Sequence, residues 1–518
     1  MVQHNMASYP GDPLATVWGT ALAAQGGEVV VAGTAEVASS TTLSGRPGAP
    51  MSLGVPSGAL VQPASGVTLT IDAPITAGAW QIFDLSQGGT VVLGSAAGTV
   101  VRPEWYGAVG NGVANDTTAL NAMSAALPAG AIVLLTGTYR IVYDGSTAPP
   151  SSPPPIWTAA DTPTYGIFIS QPGVWVVADA GAGIFMDGFT YGTACQYSEG
   201  MGIDRYTAIS FSGTSGGGVI GVQFTGNGDG TPLFLPGTTT YASRAKGVGI
   251  TDSSNIVVLD VAGLGLVGNV VNARGDTAVC RHVVVAGCFA FMCCENGFDF
   301  MGGTADCAFG FNVSADNGFS GFETGTVGII CTANLCCGNQ MEGINWVGSN
   351  GLFDGNLLFG NVQAGFAFQG GSTPPAGDQS VVVGNLIYAN GATGISVTPE
   401  STDNLILLNL LIDNGATSGA YGMELNSTLV NDLPMGVTGF TIAGNLVAEI
   451  GVTGADGIYA SYASNLSVID NLFVMTAGYC VSATNGMYQT YIRNVTTTSC
   501  SIQGVANLEC ARNVVLGD

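Results

Sequence analysis

The sequence predicts an all-β fold, a right-handed parallel β-helix, from two repeating patterns and from its composition. In the first pattern a glycine is followed by an apolar residue, a variable residue and then an apolar residue or Thr. This pattern returns at Gly297, Gly321, Gly343, Gly365, Gly394, Gly422 and Gly457. Spacings of 22 to 35 residues are typical of a solenoid whose longer coils carry insertions. We expect a short strand to begin at each glycine.

The second pattern is an asparagine that recurs between those strands, mostly followed by apolar residues. Its members are Asn312, Asn334, Asn356, Asn385, Asn409, Asn445 and Asn471. Asparagine side chains stacked on successive turns can hydrogen-bond along the stack, which offsets the cost of burying their amides. Leucine-rich repeats have a similar period, but these coils lack a leucine consensus and a helical segment, so the β-helix is favoured.

Composition agrees with this fold. The chain has 79 glycines in 518 residues, with 47% hydrophobic and 9% charged residues, which suits many short turns around a long apolar core. Apolar runs are interrupted by Gly, Asn, Asp and Thr before they reach the length of about 18 residues that a membrane-spanning helix needs. We therefore expect no membrane span. The first ten residues also lack the pattern of a signal peptide.

The net charge limits the partners. A formal charge of −25, with only 10 Lys and Arg residues, argues against nucleic acid, because phosphate binding needs clustered cations. A strongly anionic polymer would also be repelled at long range. A neutral or weakly charged partner is favoured.

Eight of the twelve cysteines crowd a few neighbouring coils: Cys280, Cys288, Cys293, Cys294, Cys307, Cys331, Cys336 and Cys337. Only His282 accompanies them, and adjacent pairs are not a CxxC motif, so we predict no metal site. Buried thiols that pack as small hydrophobic side chains are the favoured interpretation, and disulfides are the alternative.

The order of segments suggests a strand-rich N-terminal capping region at residues 1–100 and a β-helix at 101–518. One short helix is predicted near residues 116–127, with Asp116 or Asn115 as its N-cap. Three insertions interrupt the coils, at 143–165, 185–206 and 226–246. Long loops on a rigid scaffold are where binding function concentrates, although such loops can instead contact a neighbouring subunit.

The run PEWYGAVGNGVANDTTALNAMSAA from Pro103, followed by GAIVLLTGTYRI from Gly130, resembles the entry motif of the pectate-lyase-like superfamily. That motif recurs in phage tailspike depolymerases and related β-helix proteins. Asn111 and Asn115 replace two aspartates of the motif, and Asp116 remains. The resemblance implies a right-handed β-helix, a polysaccharide partner, a homotrimer and an extracellular or virion-associated location. It hardly restricts the identity of the sugar.

Candidate catalytic residues follow from the alternation of side chains along the repeat strands. Phe298 and Phe300 should point inward, which leaves Asp299 pointing outward, and the next coil places Glu323 at the same position. Coils stack about 4.8 Å apart, so these carboxylates should be neighbours. Repulsion raises the pKa of one carboxyl group and leaves the other ionised. Glycoside hydrolysis needs such a pair, one as acid and one as nucleophile or base.

Candidate substrate-binding residues surround this pair. Asn272 and Asn345 belong to the same outward column, and we expect Arg274 and Gln369 to lie diagonally beside it. Aromatic rings in the insertions can stack on sugar faces, which points to Tyr197, Tyr206 and Tyr241.

The favoured function is therefore a polysaccharide depolymerase, a glycoside hydrolase acting on an extended, neutral or weakly charged glycan. The first alternative is a polysaccharide lyase of the pectate-lyase-like type, which needs a base and commonly a cation beside a uronate, for which the chain offers Lys246, Arg274 and Ca²⁺ held by acidic residues. Otherwise no cofactor is expected. The second alternative is a non-catalytic glycan-binding spike or adhesin on the same fold.

Overall fold

The computed structural model describes residues 2–8, 13–98, 100–142, 164–187, 206–230, 245–369, 378–415, 421–426, 428–430, 433–435, 437–450, 456–476, 478–486, 488–503, 505 and 507–516. From residue 100 onward, most coils contribute one strand to each of three long sheets, in which all neighbouring strands pair in parallel. The sheets enclose one continuous apolar core. The predicted parallel β-helix is confirmed, and the third strand of each coil was not foreseen.

The bounds of the strands define the three sheets. The first sheet runs in the order Val100–Val101, Ile132–Leu135, Val174–Ala178, Gly217–Ile220, Val257–Leu259, Val284–Ala286, Thr304–Gly310, Val327–Thr332, Leu352–Asp354, Val381–Val383, Leu405–Leu407, Thr441–Ala443, Ser467–Ile469, Thr490–Ile492 and Glu509–Ala511, with Cys280–Arg281 also paired to Thr304–Gly310. The second runs Asn111–Asn115, Thr138–Val142, Gly183–Asp187, Gln223–Thr225, Ala262–Leu264, Phe289–Phe291, Val313–Ala315, Leu335–Cys337, Leu357–Phe359, Leu386–Tyr388, Leu410–Ile412, Leu446–Glu449, Leu472–Met475, Val495–Thr496 and Val514–Val515. The third runs Thr164–Ile169, Tyr206–Ser212, Ala245–Thr251, Val271–Arg274, Phe298–Phe300, Phe322–Thr324, Ile344–Trp346, Phe366–Phe368, Ile395–Val397, Tyr421–Asn426, Asp456–Ser461, Val481–Thr484 and Ser501–Gln503.

The glycine repeat lies in the third sheet. In the first five repeats the strand begins one residue after the glycine, as at Phe298, and in the last two it includes the glycine. Phe298, Phe300 and Trp346 are fully buried, so the predicted inward positions are confirmed.

The asparagine repeat forms a hydrogen-bonded ladder at the corner between the first and second sheets. In a typical link, the backbone N–H and the side-chain amide of Asn334 both donate to Asn356 Oδ1, at 3.0 and 2.9 Å. Asn334 Nδ2 also donates to the carbonyl oxygen of Phe309, at 3.1 Å. The same pattern extends through the predicted asparagines and continues to Asn494 and Asn513.

A second ladder lies at the turn between the second and third sheets and was not predicted. It consists of Asn317, Asn339, Asn361, Asn390 and Asn414. Each of these asparagines lies five residues after a member of the first ladder. That constant offset was the sequence signal for it.

Residues 1–100 contain further short parallel strands and a helix. The strands are Gln3–Asn5, Gly27–Val30, Met51–Gly54 and Ile75–Thr76, then Thr34–Val37 with Leu60–Pro63, then Thr41–Ser44, Thr68–Asp72 and Thr90–Leu93. The α-helix Leu14–Ala23 was missed, because the composition of this region suggested strands alone. Its buried residues Leu14, Val17, Trp18 and Ala21 have the helical spacing that could have revealed it. The boundary at residue 100 stays a prediction.

The predicted short helix is confirmed as Thr117–Ala126, but the Asp116 side chain does not cap it. Asp116 is buried, and its carboxylate accepts hydrogen bonds from the backbone N–H groups of Val109, Gly110 and Arg140. The carboxylate that remains in the entry motif therefore fastens the preceding loop to the strand Thr138–Val142. Short 3₁₀ helices cover Met6–Ser8, Ser95–Ala97 and Pro103–Tyr106, and Thr428–Val430 pairs with Leu433–Met435 in an antiparallel hairpin.

The three predicted insertions lie largely outside the described residues, together with Tyr197 and Tyr241. The predicted insertions extended too far at their C-terminal ends, because strands of the third sheet already begin at Thr164, Tyr206 and Ala245. Tyr206 therefore starts a strand of the scaffold.

Seven of the eight crowded cysteines are buried and free, and Cys337 is free and half-buried, as the buried-thiol interpretation predicts. The disulfide of the described chain joins Cys480 to Cys500. Neither α-helix in the described ranges is long and apolar enough to cross a membrane.

Candidate functional site

The outer face of the third sheet carries a column of polar side chains in consecutive strands. Asn272 pairs in register with Asp299, Asp299 with Glu323, and Glu323 with Asn345. The two predicted catalytic carboxylates are therefore on adjacent strands, with the two predicted asparagines on either side of them. Whether these residues act on a substrate stays a prediction.

A second set of polar residues precedes the glycines of the same strands and supports this column. Asn296 Nδ2 donates to Glu323 Oε2 at 2.6 Å, and Asn296 Oδ1 accepts from the backbone N–H of Ser320 at 2.9 Å. Ser320 Oγ in turn donates to Glu342 Oε2 at 2.9 Å. The Asn296 amide, which is itself held by the backbone N–H of Ser320, therefore orients the Glu323 carboxyl group.

Most of this cluster is excluded from solvent. Asp299 is 1% exposed, and Asn272, Asn296 and Glu342 are also buried, whereas Glu323 is partly exposed. We expected both predicted catalytic carboxylates to face solvent, and for Asp299 this was wrong. The alternation of side chains along a strand predicts which face of the sheet a side chain points from. It does not predict what covers that face, and the burial of the side chain depends on both.

The only lysine of the chain, Lys246, is fully buried at this cluster. Its ammonium group donates to Asn272 Oδ1, and Asn272 Nδ2 donates to Asp299 Oδ2 at 2.9 Å. The Asn272 amide therefore turns its oxygen toward the cation and its N–H group toward the carboxylate. One amide thus bridges the lysine and the Asp299 carboxyl group.

Sequence reasoning placed Lys246 at the end of an insertion and did not connect it with Asp299. The structure places it in the strand Ala245–Thr251, beside Val271–Arg274. The signal that could have found it is a single lysine inside an otherwise apolar and glycine-rich strand, because a buried charge requires a partner.

Glu342 is a further buried acid in this cluster. Burial raises the pKa of Glu342, and the hydrogen bond from Ser320 opposes that rise. The cluster therefore combines one carboxylate held near a cation, one partly exposed carboxyl group and one buried carboxyl group that favours its protonated form.

Arg274 follows Asn272 by two residues in the same strand, so it lies diagonally beside Asp299 as expected. Arg274 forms an ion pair with Asp276, so its charge is used within its own turn. The backbone N–H of Gln369 donates to the carbonyl oxygen of Trp346, and Gln369 lies at the end of a strand two coils beyond Glu323. The prediction that Gln369 is a diagonal neighbour of the pair was wrong, because a diagonal neighbour of Glu323 must lie on an adjacent coil and Gln369 lies on the coil after that.

Neither the polar cluster nor any other group of described residues brings together three or more His, Cys, Asp and Glu side chains that could hold a metal ion. The chemistry available to the described side chains is proton transfer and nucleophilic attack by carboxyl groups.

Comparisons with known proteins find several similar solved structures. The structure is similar to the A-module of the mannuronan C-5 epimerase AlgE4 from Azotobacter vinelandii, with a TM-score of 0.52 and 18% identity over 80% of this chain and 100% of that one. It is also similar to the Dettilon tailspike protein (TM-score 0.43, 14% identity, 82% and 71% of the two chains). A third similar structure is PfbA, a surface adhesin of Streptococcus pneumoniae (TM-score 0.39, 13% identity, 76% and 92%).

In sequence, the model of a family described as periplasmic copper-binding protein (NosD) matches residues 235–445. No curated protein matches the chain. Together with the sheet topology, the similarity to the epimerase module shows that the chain has a right-handed parallel β-helix fold.

Proposed function

We propose that the protein is a polysaccharide depolymerase that hydrolyses glycosidic bonds in a neutral or weakly charged glycan. The observation that carries this proposal is the placement of Asp299 and Glu323 on adjacent strands, with Asp299 connected through Asn272 to the only lysine. The Asp299 carboxyl group accepts a hydrogen bond from Asn272, while Glu323 reaches solvent and can exchange its proton. Glycoside hydrolysis needs this division of roles.

In this mechanism Glu323 donates its proton to the leaving glycosidic oxygen, since it is the partly exposed member of the pair. Asp299 supplies the carboxylate that attacks the sugar carbon. Adjacent strands are about 4.8 Å apart, closer to the ~5 Å carboxyl separation of retaining enzymes than to the ~6.5 Å or more of inverting ones. We therefore favour a retaining mechanism.

The burial of Asp299 adds a requirement to this mechanism. A sugar ring can reach the Asp299 carboxylate only after binding has displaced the groups that cover it. Exclusion of water from the closed site would strengthen the electrostatic contribution of Lys246, because charges interact more strongly in a medium of low polarity.

Charge supports a neutral glycan over a uronic-acid polymer. A lyase that acts on uronates commonly needs a cation beside the substrate carboxylate, but Lys246 is buried against Asn272 and Arg274 is paired with Asp276. The net charge of −25 also repels an anionic polymer. That the similar epimerase module is named for a polysaccharide, mannuronan, supports a glycan substrate in general.

A non-catalytic glycan-binding protein is the second candidate, and the near-complete burial of Asp299 favours it. The same β-helix could bind an extended glycan along its length without cleaving it.

We further propose an extracellular or virion-associated location and a homotrimeric assembly, both implied by the resemblance of the entry motif. The Cys480–Cys500 disulfide supports a location outside the reducing cytosol, because disulfides persist in oxidising compartments.

The test is digestion of a panel of neutral and acidic bacterial polysaccharides, with mass spectrometry of the products. Hydrolysis predicts shortened chains with new reducing ends and the mass of one added water per cleavage. Unsaturated ends that absorb ultraviolet light would show a lyase instead. Binding on a glycan array, without shortening of the bound polymer, would favour the non-catalytic candidate.

A further inference from the structure

The outer face of the second sheet is apolar over most of its length. In every strand from Phe289 to Val514, the first outward position is Phe, Val or Leu. The second outward position is apolar, Cys or Tyr from Phe291 as far as Val474. None of the 35 acidic residues of the chain occupies these positions.

This character is not a general property of the sheet. Its earlier strands are polar on the same face, where Arg140 forms an ion pair with Asp187 and Gln223 is exposed. The face becomes apolar only from the strand Ala262–Leu264 onward.

The adjoining first sheet also exposes aliphatic side chains over the same coils. Ile330, Leu352, Val381 and Leu405 form one column in register, and Ile330 is 53% exposed. The neighbouring outward column is mixed, since it includes Asp354.

The corner between these two sheets carries large apolar residues in an unfavourable backbone conformation. Phe311 and Leu408 are 70% and 67% exposed, with φ of 58° and 54°. Other coils place a glycine at this position, as at Gly287 and Gly355. A glycine adopts positive φ without steric cost and exposes no apolar side chain. In an isolated chain, Phe311 and Leu408 would therefore be unfavourable both because of their positive φ and because they expose large apolar side chains to water.

We propose that these surfaces pack against a second copy of this chain, the first sheet of one copy against the second sheet of the next, with the corner residues at their junction. Contact between two different faces of identical subunits closes into a ring when the rotation permits it. The inference does not depend on the proposed hydrolysis, and it names the contact surfaces of the proposed homotrimer.

Charge and area both favour a second copy as the occupant. Copies that each carry −25 repel one another, so they can associate only through a surface nearly free of charge. Ten strands at ~4.8 Å give faces roughly 45 Å long. In a ring each copy uses both faces, so at about 10 Å wide it would bury roughly 900 Å² over its two contacts, comparable with the ~800 Å² that each partner buries in a standard interface.

Substitutions at the corner residues test the proposal and should not lower the stability of the isolated chain. We expect the wild-type protein at micromolar concentration to have a multiple of the one-chain mass by light scattering and sedimentation. The double variant Phe311→Gly/Leu408→Gly should remain folded by circular dichroism but associate at least tenfold more weakly. Ala333→Gly, at the same corner with φ of 53°, is the matched control and should keep the wild-type mass.

A second variant keeps the test decisive if the glycine variant unfolds. Ile330→Glu places a charge on a side chain that is already half exposed, so it should dissociate the assembly without unfolding the chain. Gln223→Glu, on the polar part of the second sheet, is its control. A wild-type protein with the mass of a single chain, or an Ile330→Glu variant with the wild-type mass, would overturn the proposal.

Discussion

Replacing Asp299 by Asn is expected to lower kcat on a confirmed polysaccharide substrate at least about a hundredfold, the scale of a positioned acid–base or nucleophilic group. It should also lower the melting temperature. The asparagine can still accept the hydrogen bond from Asn272, but it removes a negative charge that one amide links to the buried ammonium group of Lys246. Losing a negative charge close to a buried cation weakens the attraction that offsets the burial of that cation.

A second substitution separates the two effects. Adding Lys246→Met to Asp299→Asn removes the buried cation as well as the carboxylate, so the double variant should recover melting temperature relative to Asp299→Asn while turnover remains lost. Thermal unfolding and initial rates on the same preparations measure both. If Asp299→Asn is destabilised but keeps near wild-type turnover, Asp299 is a structural charge and the catalytic assignment is wrong.

The variant Glu323→Gln should lose a similar amount of turnover with little change in melting temperature. Its side chain is partly exposed, and a glutamine oxygen can still accept the hydrogen bond from Asn296. Glu424→Gln is the control for both variants, because Glu424 occupies the same outward column four strands beyond Glu323. It should keep wild-type activity.

The fold was predictable because repetition makes the sequence redundant. Each coil repeats the same inward residues and the same corner asparagine, so the strands around Gly297 and the ladder from Asn312 to Asn471 follow from spacing alone. The helix Leu14–Ala23 occurs once and has no such redundancy. It could be found only from the helical spacing of its buried residues.

The candidate site was predictable only where residues recur at the same position of the repeat. Register placed Asp299 beside Glu323, since both follow the repeating glycine by two residues. The link to Lys246 joins residues 53 positions apart through the side chain of Asn272, and no repeat encodes such a contact. The burial of Asp299 was also inaccessible, because alternation gives the direction of a side chain and not what covers it.

The protein should lose stability as the pH rises toward 8, and Glu449 should contribute most to this loss. Glu449 is fully buried at the end of the strand Leu446–Glu449, and a Cβ atom added to Gly422 would lie 3.2 Å from its Oε1. Burial, and secondarily the charge of Asp413, raise the pKa of Glu449 from 4.5 to about 8.

The sign follows from proton binding. Between pH 4.5 and about 8 the native state holds the proton on Glu449 more tightly than the unfolded state does, so the free energy of unfolding falls as the pH rises. The stabilisation is complete below pH 4.5 and is lost as the pH passes through about 8. At about 1.4 kcal/mol per pH unit its upper limit is roughly 5 kcal/mol, and local opening that lets water reach the carboxylate would reduce it.

The variant Glu449→Gln should therefore unfold at nearly the same urea concentration at pH 5 and pH 8.5, whereas the wild type should be clearly less stable at the higher pH. Burial also raises the pKa values of Glu342, Glu424 and Asp456, so a smaller slope of the same sign should remain in the variant. Glu424→Gln is the matched control, because its carboxyl group is less buried and its removal should change the slope less. Equal pH dependence in the wild type and Glu449→Gln would show that Glu449 is hydrated in the native state and that its burial does not control the stability.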